Sequence, residues 1–332
     1  MNFGGPWSLG QVRPFLFELF RDPEILIGVP GPIRTLIAAA IALIKGGESK
    51  LNYARIGGFS PQLSWTEKQA MQLQELLGDD YRVEIGMRAS SPKILEAVKK
   101  LFDAGVEEIV CLPLFPQYSF TTTKSAFNAV TAAFEFLRWY PKVEWVRSWY
   151  RDVEYIDWIA ESIFTELKKD SASSGEKDSR LYLLFSAHSL PLKTVAAGDP
   201  YPTETKETVD LIVRSLELKL KAAGLQMPVW SLAFQSRNGK MPWLQPYLED
   251  EIERLNREEN VTRLLIAPVS FVSDHIETSF ELDLLYAEQA KEIGYTEYRR
   301  TPVFNGSSTL TKILAKIVKA QVLEKTHDWN PR

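Results

Sequence analysis

Short apolar runs and longer amphipathic stretches alternate along the chain, and their lengths separate strands from helices. Runs of strand length fall at residues 82–87, 108–115, 143–148, 181–185, 229–234, 262–269 and near 298–302. Between them, helical spacing predicts helices over about 33–45, 66–77, 153–168, 203–222, 242–255 and 310–323. Ser8 can cap a helix through Phe15 to Phe20, and Pro92 suits the first turn of another, where a missing N–H costs nothing. Thr121 to Thr123 read as a further helix start, 52–61 as a glycine-bearing loop, and the polar stretch 170–179 as an exposed connection. After the 262–269 run, Ser273 or Asp274 suits an N-cap, and a helix follows.

Strict strand–helix alternation predicts the α/β class with mostly parallel sheets. The apolar strand with proline at 108–115 has an echo at 262–269, which predicts two similar halves with a boundary near 149–151.

The most concentrated chemistry lies where the 262–269 strand hands over to its helix. Read as helical from its cap, Asp274, Glu277 and Glu281 fall at i, i+3 and i+7, so three carboxylates share one face beside His275. Other strand ends carry Arg88, Gln117 to Ser119, His188 and Arg237. Parallel strands bring such ends to one edge, where ligands of open α/β sheets bind. A histidine facing a glutamate can hold a borderline divalent metal, or it can take up protons near neutrality. No nucleophile elbow, phosphate loop or dinucleotide fingerprint is present. Phe3, Tyr118 and Trp243 suit a flat, aromatic, water-averse ligand.

Composition narrows the classes. At 332 residues and 45% hydrophobic content the chain can form two domains with sizeable cores. A net charge of −4 argues against a general nucleic-acid binder. The one cysteine, Cys111, excludes an internal disulfide and any four-cysteine cluster held by this chain alone. With no signal peptide in view, a cytoplasmic location is expected. The segment between Ile25 and Ile44 is almost wholly apolar, but Pro30, Pro32 and Arg34 leave its helix short of the ~20 residues a bilayer requires. It reads either as a buried core helix or as an apolar lip that covers a greasy ligand or touches the inner face of a membrane peripherally.

A series of motifs in order resembles the ferrochelatase family over nearly the whole chain. They are Asn2-Phe3-Gly4-Gly5-Pro6, Ile56-Gly57-Gly58-Phe59-Ser60-Pro61, Gly86-Met87-Arg88 and Leu112-Pro113-Leu114-Phe115-Pro116-Gln117-Tyr118-Ser119. Phe185-Ser186-Ala187-His188-Ser189-Leu190-Pro191, Gly198-Asp199-Pro200-Tyr201, Gln235-Ser236-Arg237 and Ser273-Asp274-His275-Ile276-Glu277-Thr278 continue the series. The resemblance implies two Rossmann-like domains with an interdomain porphyrin cleft. The first would be residues 1–150 plus a returning C-terminal helix at about 305–325, and the second 151–304. It implies insertion of Fe²⁺, as substrate, into protoporphyrin IX, with release of two protons and no permanently bound cofactor. A tail without cysteine is not expected to carry the iron–sulfur cluster of some members. By the match, His188 and Glu277 are catalytic and metal-contacting. Asp274, His275 and Glu281 complete an acidic row on a helix with a widened turn. Phe3, Arg88, Tyr118, Ser119, Arg237 and Trp243 would touch the porphyrin. The working expectation is a neutral His188 accepting pyrrole protons while Glu277 and the acidic row deliver metal.

The chain departs from the family pattern at four places. Almost nothing precedes Asn2, which predicts a natural start roughly five residues upstream, about one strand length. Phe3 cannot ligate a metal and, with the apolar lip, favours protoporphyrin over coproporphyrin. Ala89 replaces a common aromatic or histidine, and Lys124 stands where glycine is usual. A coproporphyrin ferrochelatase, another tetrapyrrole chelatase and a non-catalytic porphyrin or haem carrier remain alternatives. A carrier would want a strong axial ligand and would not need the acidic row.

Overall fold

The strand-length apolar runs assemble into two separate parallel sheets in a computed structural model, which describes residues 1–172, 181–239 and 241–323. The chain divides into one unit of Met1–Trp149 with the segment that begins at Phe304, and a second of Tyr150–Val303.

The first unit runs through α1 (Val12–Phe20), α2 (Gly31–Arg55), α3 (Gln62–Leu77), α4 (Ile94–Asp103), β1 (Glu108–Cys111), α5 (Ser125–Leu137) and β2 (Lys142–Trp145). The strands β1 and β2 pair in parallel, with Ile109 opposite Val143. Ile94 and Val98 of α4 and Ala126, Val130 and Phe134 of α5 bury Ile109 and Cys111. Burial pushes the Cys111 thiol up to about 12, so it stays a protonated core group. The predicted strand at 82–87 is extended chain without a ladder: Asn2 N–H donates to the Gly86 carbonyl (3.1 Å) and Arg88 N–H to that of Asn2 (3.0 Å). Gly4, at φ +89°, passes so close to Ser90 that a Cβ would lie 2.1 Å from its Oγ. Only glycine fits there.

Several helix limits differ from expectation. Ser8 makes no side-chain cap; a short 3₁₀ turn (Leu9–Gln11) leads into α1 instead. Pro92 lies ahead of α4, whose N-cap is Lys93. The helix α2 runs ten residues past Lys45, through two glycines that propensity alone would penalise. At Gly46 the helix lies against Arg13, and a Cβ there would come within 2.6 Å of that side chain. Close packing of α1 on α2 thus requires the glycine.

The second unit contains α6 (Val153–Ala172), β3 (Leu181–His188), α7 (Leu192–Ala196), α8 (Tyr201–Ala222), β4 (Trp230–Gln235), α9 (Leu248–Glu259) and β5 (Arg263–Pro268). A π-helical segment (Glu277–Leu285), α10 (Tyr286–Glu292) and β6 (Glu297–Arg300) complete it. All four strands are parallel, in the order β4-β3-β5-β6. Every residue of β5 is buried, as the unbroken apolar run requires of a strand covered on both faces. Leu184, Leu264 and Ile266 pack under Leu248, Ile252, Leu282 and Tyr286. The predicted helix at 242–255 begins only at Leu248. Before it, Trp243 bridges Pro191 and Tyr247 bridges Phe234. From residue 173 the predicted polar connection at 170–179 lies outside the described residues, and α6 covers its start. The chain ends its described course in α11 (Ser308–Leu323), which returns to the first unit, where the Thr311 hydroxyl bonds Gln72 of α3 at 3.0 Å.

Candidate active site

Three neighbouring strand ends of the second unit converge on one charged group. His188 is the last residue of β3, Gln235 lies opposite it as the last residue of β4, and β5 leads through Ser270 to Glu277. The His188 N–H donates to Ser270 Oγ (3.1 Å), which ties β3 to the loop after β5. Its ring donates from Nδ1 to the Ser189 carbonyl, turning Nε2 toward Glu277 Oε1 at 3.4 Å. The other oxygen of Glu277 lies 3.0 Å from His275 Nε2. One carboxylate therefore bridges two imidazoles. His275 packs edge-on against Phe271, with ring centroids 4.7 Å apart, and its buried Nδ1 has no partner among the described residues.

Glu281 lies one turn along the π-helical segment. Its Oε2 accepts from Gln235 Nε2 (3.0 Å) and from Ser236 Oγ (2.6 Å). The Gln235 amide also donates to the Glu277 carbonyl (2.8 Å), while its own oxygen accepts from Ser186 (2.7 Å). The widened turn that the family resemblance implies is present, and Glu277 opens it.

The electrostatics follow from this packing. Burial disfavours an imidazolium at His188, but the negative charges of Glu277 and Glu281 outweigh it and hold the group up at about 9. Burial likewise opposes ionisation of Glu277, and the two imidazoles overcome it, keeping the carboxyl well below its usual range. Glu281 goes the other way: burial, then the charge of Glu277, push it up to about 7. Near neutral pH the cluster holds an imidazolium, a carboxylate and a carboxyl poised to exchange its proton. The carboxylates around His188 thus favour its charged form, where the sequence suggested a neutral resting ring.

Asp274 stands apart from the predicted face. The helix starts at Ile276, so Asp274 and His275 precede it. Asp274 is drawn to Arg300 at the end of β6 (3.1 Å), whose guanidinium also grips Asp283 through two bonds of 2.6 and 2.8 Å. The i, i+3, i+7 reading thus joins only Glu277 and Glu281. Among the described residues no three histidine, cysteine, aspartate or glutamate side chains are placed to hold a metal ion. Glu277 is shared between the two imidazoles, and Asp274 pairs with Arg300.

The remaining predicted residues fall into two groups. In the second unit Arg237 pairs with Glu249 and, at 3.5 Å, with Asp250, and stacks 4.2 Å from the centroid of Tyr247. Trp243 donates its indole N–H to the Asn238 carbonyl (2.9 Å). In the first unit Phe3 meets Phe115 edge to face, Tyr118 meets Phe120 in the same way, and Ser119 accepts from the Thr121 N–H as a cap (3.2 Å). Arg88 is spent on the buried Asp22 (2.7 Å) and on Ser125 (2.7 Å). Ala89 is buried, its N–H bonded to the Phe3 carbonyl at 2.9 Å. Lys124 now has an account: it pairs with Glu24 (3.1 Å) over the ring of Phe120 (4.7 Å).

Gln235, Ser236 and Arg300 are the site's contributors that residue-type reasoning did not single out. A cation ending a strand was the available signal for Arg300. The other two were marked only as part of the motif Gln235-Ser236-Arg237, which gave neither a role.

Comparison with known proteins agrees with the motif series. A family model described as ferrochelatase matches residues 1–322. The ferrochelatase of Aquifex aeolicus (strain VF5) is 40% identical over 324 residues, covering 97% of this chain and 98% of the relative. That of Synechocystis sp. (strain ATCC 27184 / PCC 6803 / Kazusa) is 38% identical over 325 residues, covering 96% and 80%. Among solved structures, SirB from Bacillus subtilis with Fe³⁺ aligns with a TM-score of 0.50 at 11% identity, over 80% of this chain and 93% of that one. That likeness is one of fold.

Proposed function

The chain belongs to the ferrochelatase family, and on that premise we propose that it inserts Fe²⁺ into protoporphyrin IX, using His188 and Glu277 as its catalytic pair. Iron insertion into a porphyrin, a lyase reaction of haem biosynthesis, is the activity the family assigns. The observation that carries the residue roles is the Glu277 carboxylate held between two imidazoles with Glu281 beside it.

A free-base porphyrin must lose two N–H protons as the metal enters, and the metal must lose its water. The reaction is Fe²⁺ plus porphyrin giving iron porphyrin plus two protons. At rest His188 is an imidazolium and cannot accept either proton. A dication arriving at the carboxylates reverses the field that keeps it protonated. His188 then releases its proton to solvent, and Nε2 becomes free to take the two pyrrole protons in turn, the first passed on before the second is taken. Glu281, poised near neutrality, passes protons onward. Glu277 meets the metal because its charge is the one most firmly held.

Protoporphyrin is favoured by Phe3, which offers no ligand, and by the apolar face of α2. That face exposes Ile33, Leu36, Leu43, Ile44 and Leu51, with Leu36 at 72% and Ile44 at 79% exposure. No helix among the described residues is long and apolar enough to cross a membrane. The stripe instead suits peripheral contact with the inner face of a membrane, from which an apolar porphyrin would be taken.

The test is anaerobic incubation with protoporphyrin and Fe²⁺ or Zn²⁺ in detergent, read by absorbance, with coproporphyrin in parallel. Four Q bands should collapse to two, fastest with protoporphyrin, and His188→Ala should slow this by about 10²-fold or more. Tight porphyrin binding without metal insertion would replace this reading with that of a carrier. Near-normal turnover in His188→Ala would remove His188 from the mechanism.

A further inference from the structure

Immediately after β4 the backbone does something unfavourable. Ser236 sits at φ +67°, in the left-handed region that a residue with a side chain seldom adopts. Such conformations persist where surrounding structure imposes them, and they cluster at functional sites. Here the turn aims Ser236 Oγ at Glu281 Oε2 (2.6 Å). Gln235, fully buried, completes the grip. Its Nε2 faces two acceptors, the Glu281 carboxylate and the Glu277 carbonyl, and Ser186 occupies its oxygen. Reversing the amide would set oxygen against oxygen, so its orientation is chemically fixed.

Glu281 Oε2 therefore receives both hydrogen bonds, while Oε1 accepts none among the described residues. The carboxylate is anchored at one oxygen and free at the other. The same Gln235 amide holds the first carbonyl of the π-helical segment, so one side chain sets both the rotamer of Glu281 and the backbone that carries Glu277.

We propose that Ser236 and Gln235 are positioning residues for metal insertion, which fix the Glu281 carboxylate and the start of the π-helical segment in the geometry the reaction uses. This rests on the chelatase reading above. Outer partners that orient metal-contacting groups typically change affinity or activity by 10–100-fold when lost.

Two substitutions at Ser236 separate positioning from bulk stability. Ser236→Gly and Ser236→Ala both delete the hydroxyl, but glycine relieves the left-handed strain and alanine keeps it. Ser236→Gly should therefore melt higher than Ser236→Ala. Turnover should nonetheless fall about tenfold or more in both, with KM for metal raised and KM for porphyrin unchanged. Gln235→Glu, which sets an acceptor against the same two acceptors, should cost at least as much. Wild-type protein measured alongside keeps the two readings apart. Active wild type with Ser236→Gly within twofold of it would overturn the positioning role alone, as would turnover that tracked melting temperature across the pair. Wild type that inserts no metal would overturn the chelatase reading and this proposal with it.

Discussion

Removing the charge of Glu277 while keeping its shape should uncouple His188 from its high pKa. In the wild type that carboxylate lies 3.4 Å from His188 Nε2 and is the principal charge holding the imidazolium up to about 9. Glu277→Gln leaves burial, which lowers the pKa, opposed only by the more distant Glu281 and the Ser189 carbonyl. The group should fall back to near 7, about its unperturbed range. At pH 8 the ring would pass from roughly nine-tenths protonated to about one-tenth, a change large enough to read directly. The assay is an NMR titration of the imidazole carbons; with three histidines in the chain, a His188→Asn spectrum assigns the signal. Stability supplies a second reading. The raised pKa of His188 contributes stability fully present below about 6.5 and lost as pH rises through about 9. The lowered pKa of Glu277 contributes stability present above 4.5 and lost as pH falls below it. The gap between wild type and Glu277→Gln should be widest at roughly pH 5–6.5, shrink as pH rises toward about 9, and shrink again as pH falls below about 4.5. An unchanged His188 midpoint in Glu277→Gln would refute the pairing and the proton-release step built on it.

Two further outcomes follow from the first unit. Asp22→Ala strips Arg88 of its buried counter-charge. The carboxylate is 1% exposed and the guanidinium 18%, so the loss belongs at the lower end of the 3–5 kcal/mol for a broken buried pair, about 3 kcal/mol. That corresponds to a melting temperature lower by roughly 6–12 °C, and a shift under about 2 °C by calorimetry would contradict the buried pair. Replacing Leu36 and Ile44 together by glutamate should leave melting unchanged, because both are exposed. It should weaken co-sedimentation with vesicles by about a hundredfold, from roughly 3 kcal/mol of apolar contact, and undiminished binding would exclude the α2 stripe as the contact.

Sequence reasoning succeeded where a single local property decides the outcome. The strand β5 was legible because both its faces are buried, so its apolar run is continuous and its end conspicuous. His188 and Glu277 were legible because parallel strands carry their C-terminal ends to one edge whatever the loops do. The helix predicted at 242–255 failed for a reason also present in the sequence: Pro246 disfavours a helical residue before it, and 242–247 accordingly form bends between isolated bridges at Trp243 and Tyr247. The length of α2 failed for a reason that was not, since helix through Gly46 depends on Arg13 lying across it.

The charges of the site are less legible than its residues, and this limit is physical. Whether Asp274 joins Glu277 depends on Arg300, 26 residues away, and Arg300 wins by offering a bidentate cation already fixed by Asp283. Whether Glu281 is ionised depends on its depth and on Glu277, and whether His188 is charged depends on both carboxylates. Each protonation state is set by distances of a few ångströms between strands far apart in sequence. A neutral proton acceptor is what the residue type at His188 suggests. The carboxylates of the folded chain instead favour the charged form of that histidine, so that, in the mechanism proposed above, arrival of the metal rather than the histidine's own basicity determines when it can take a proton.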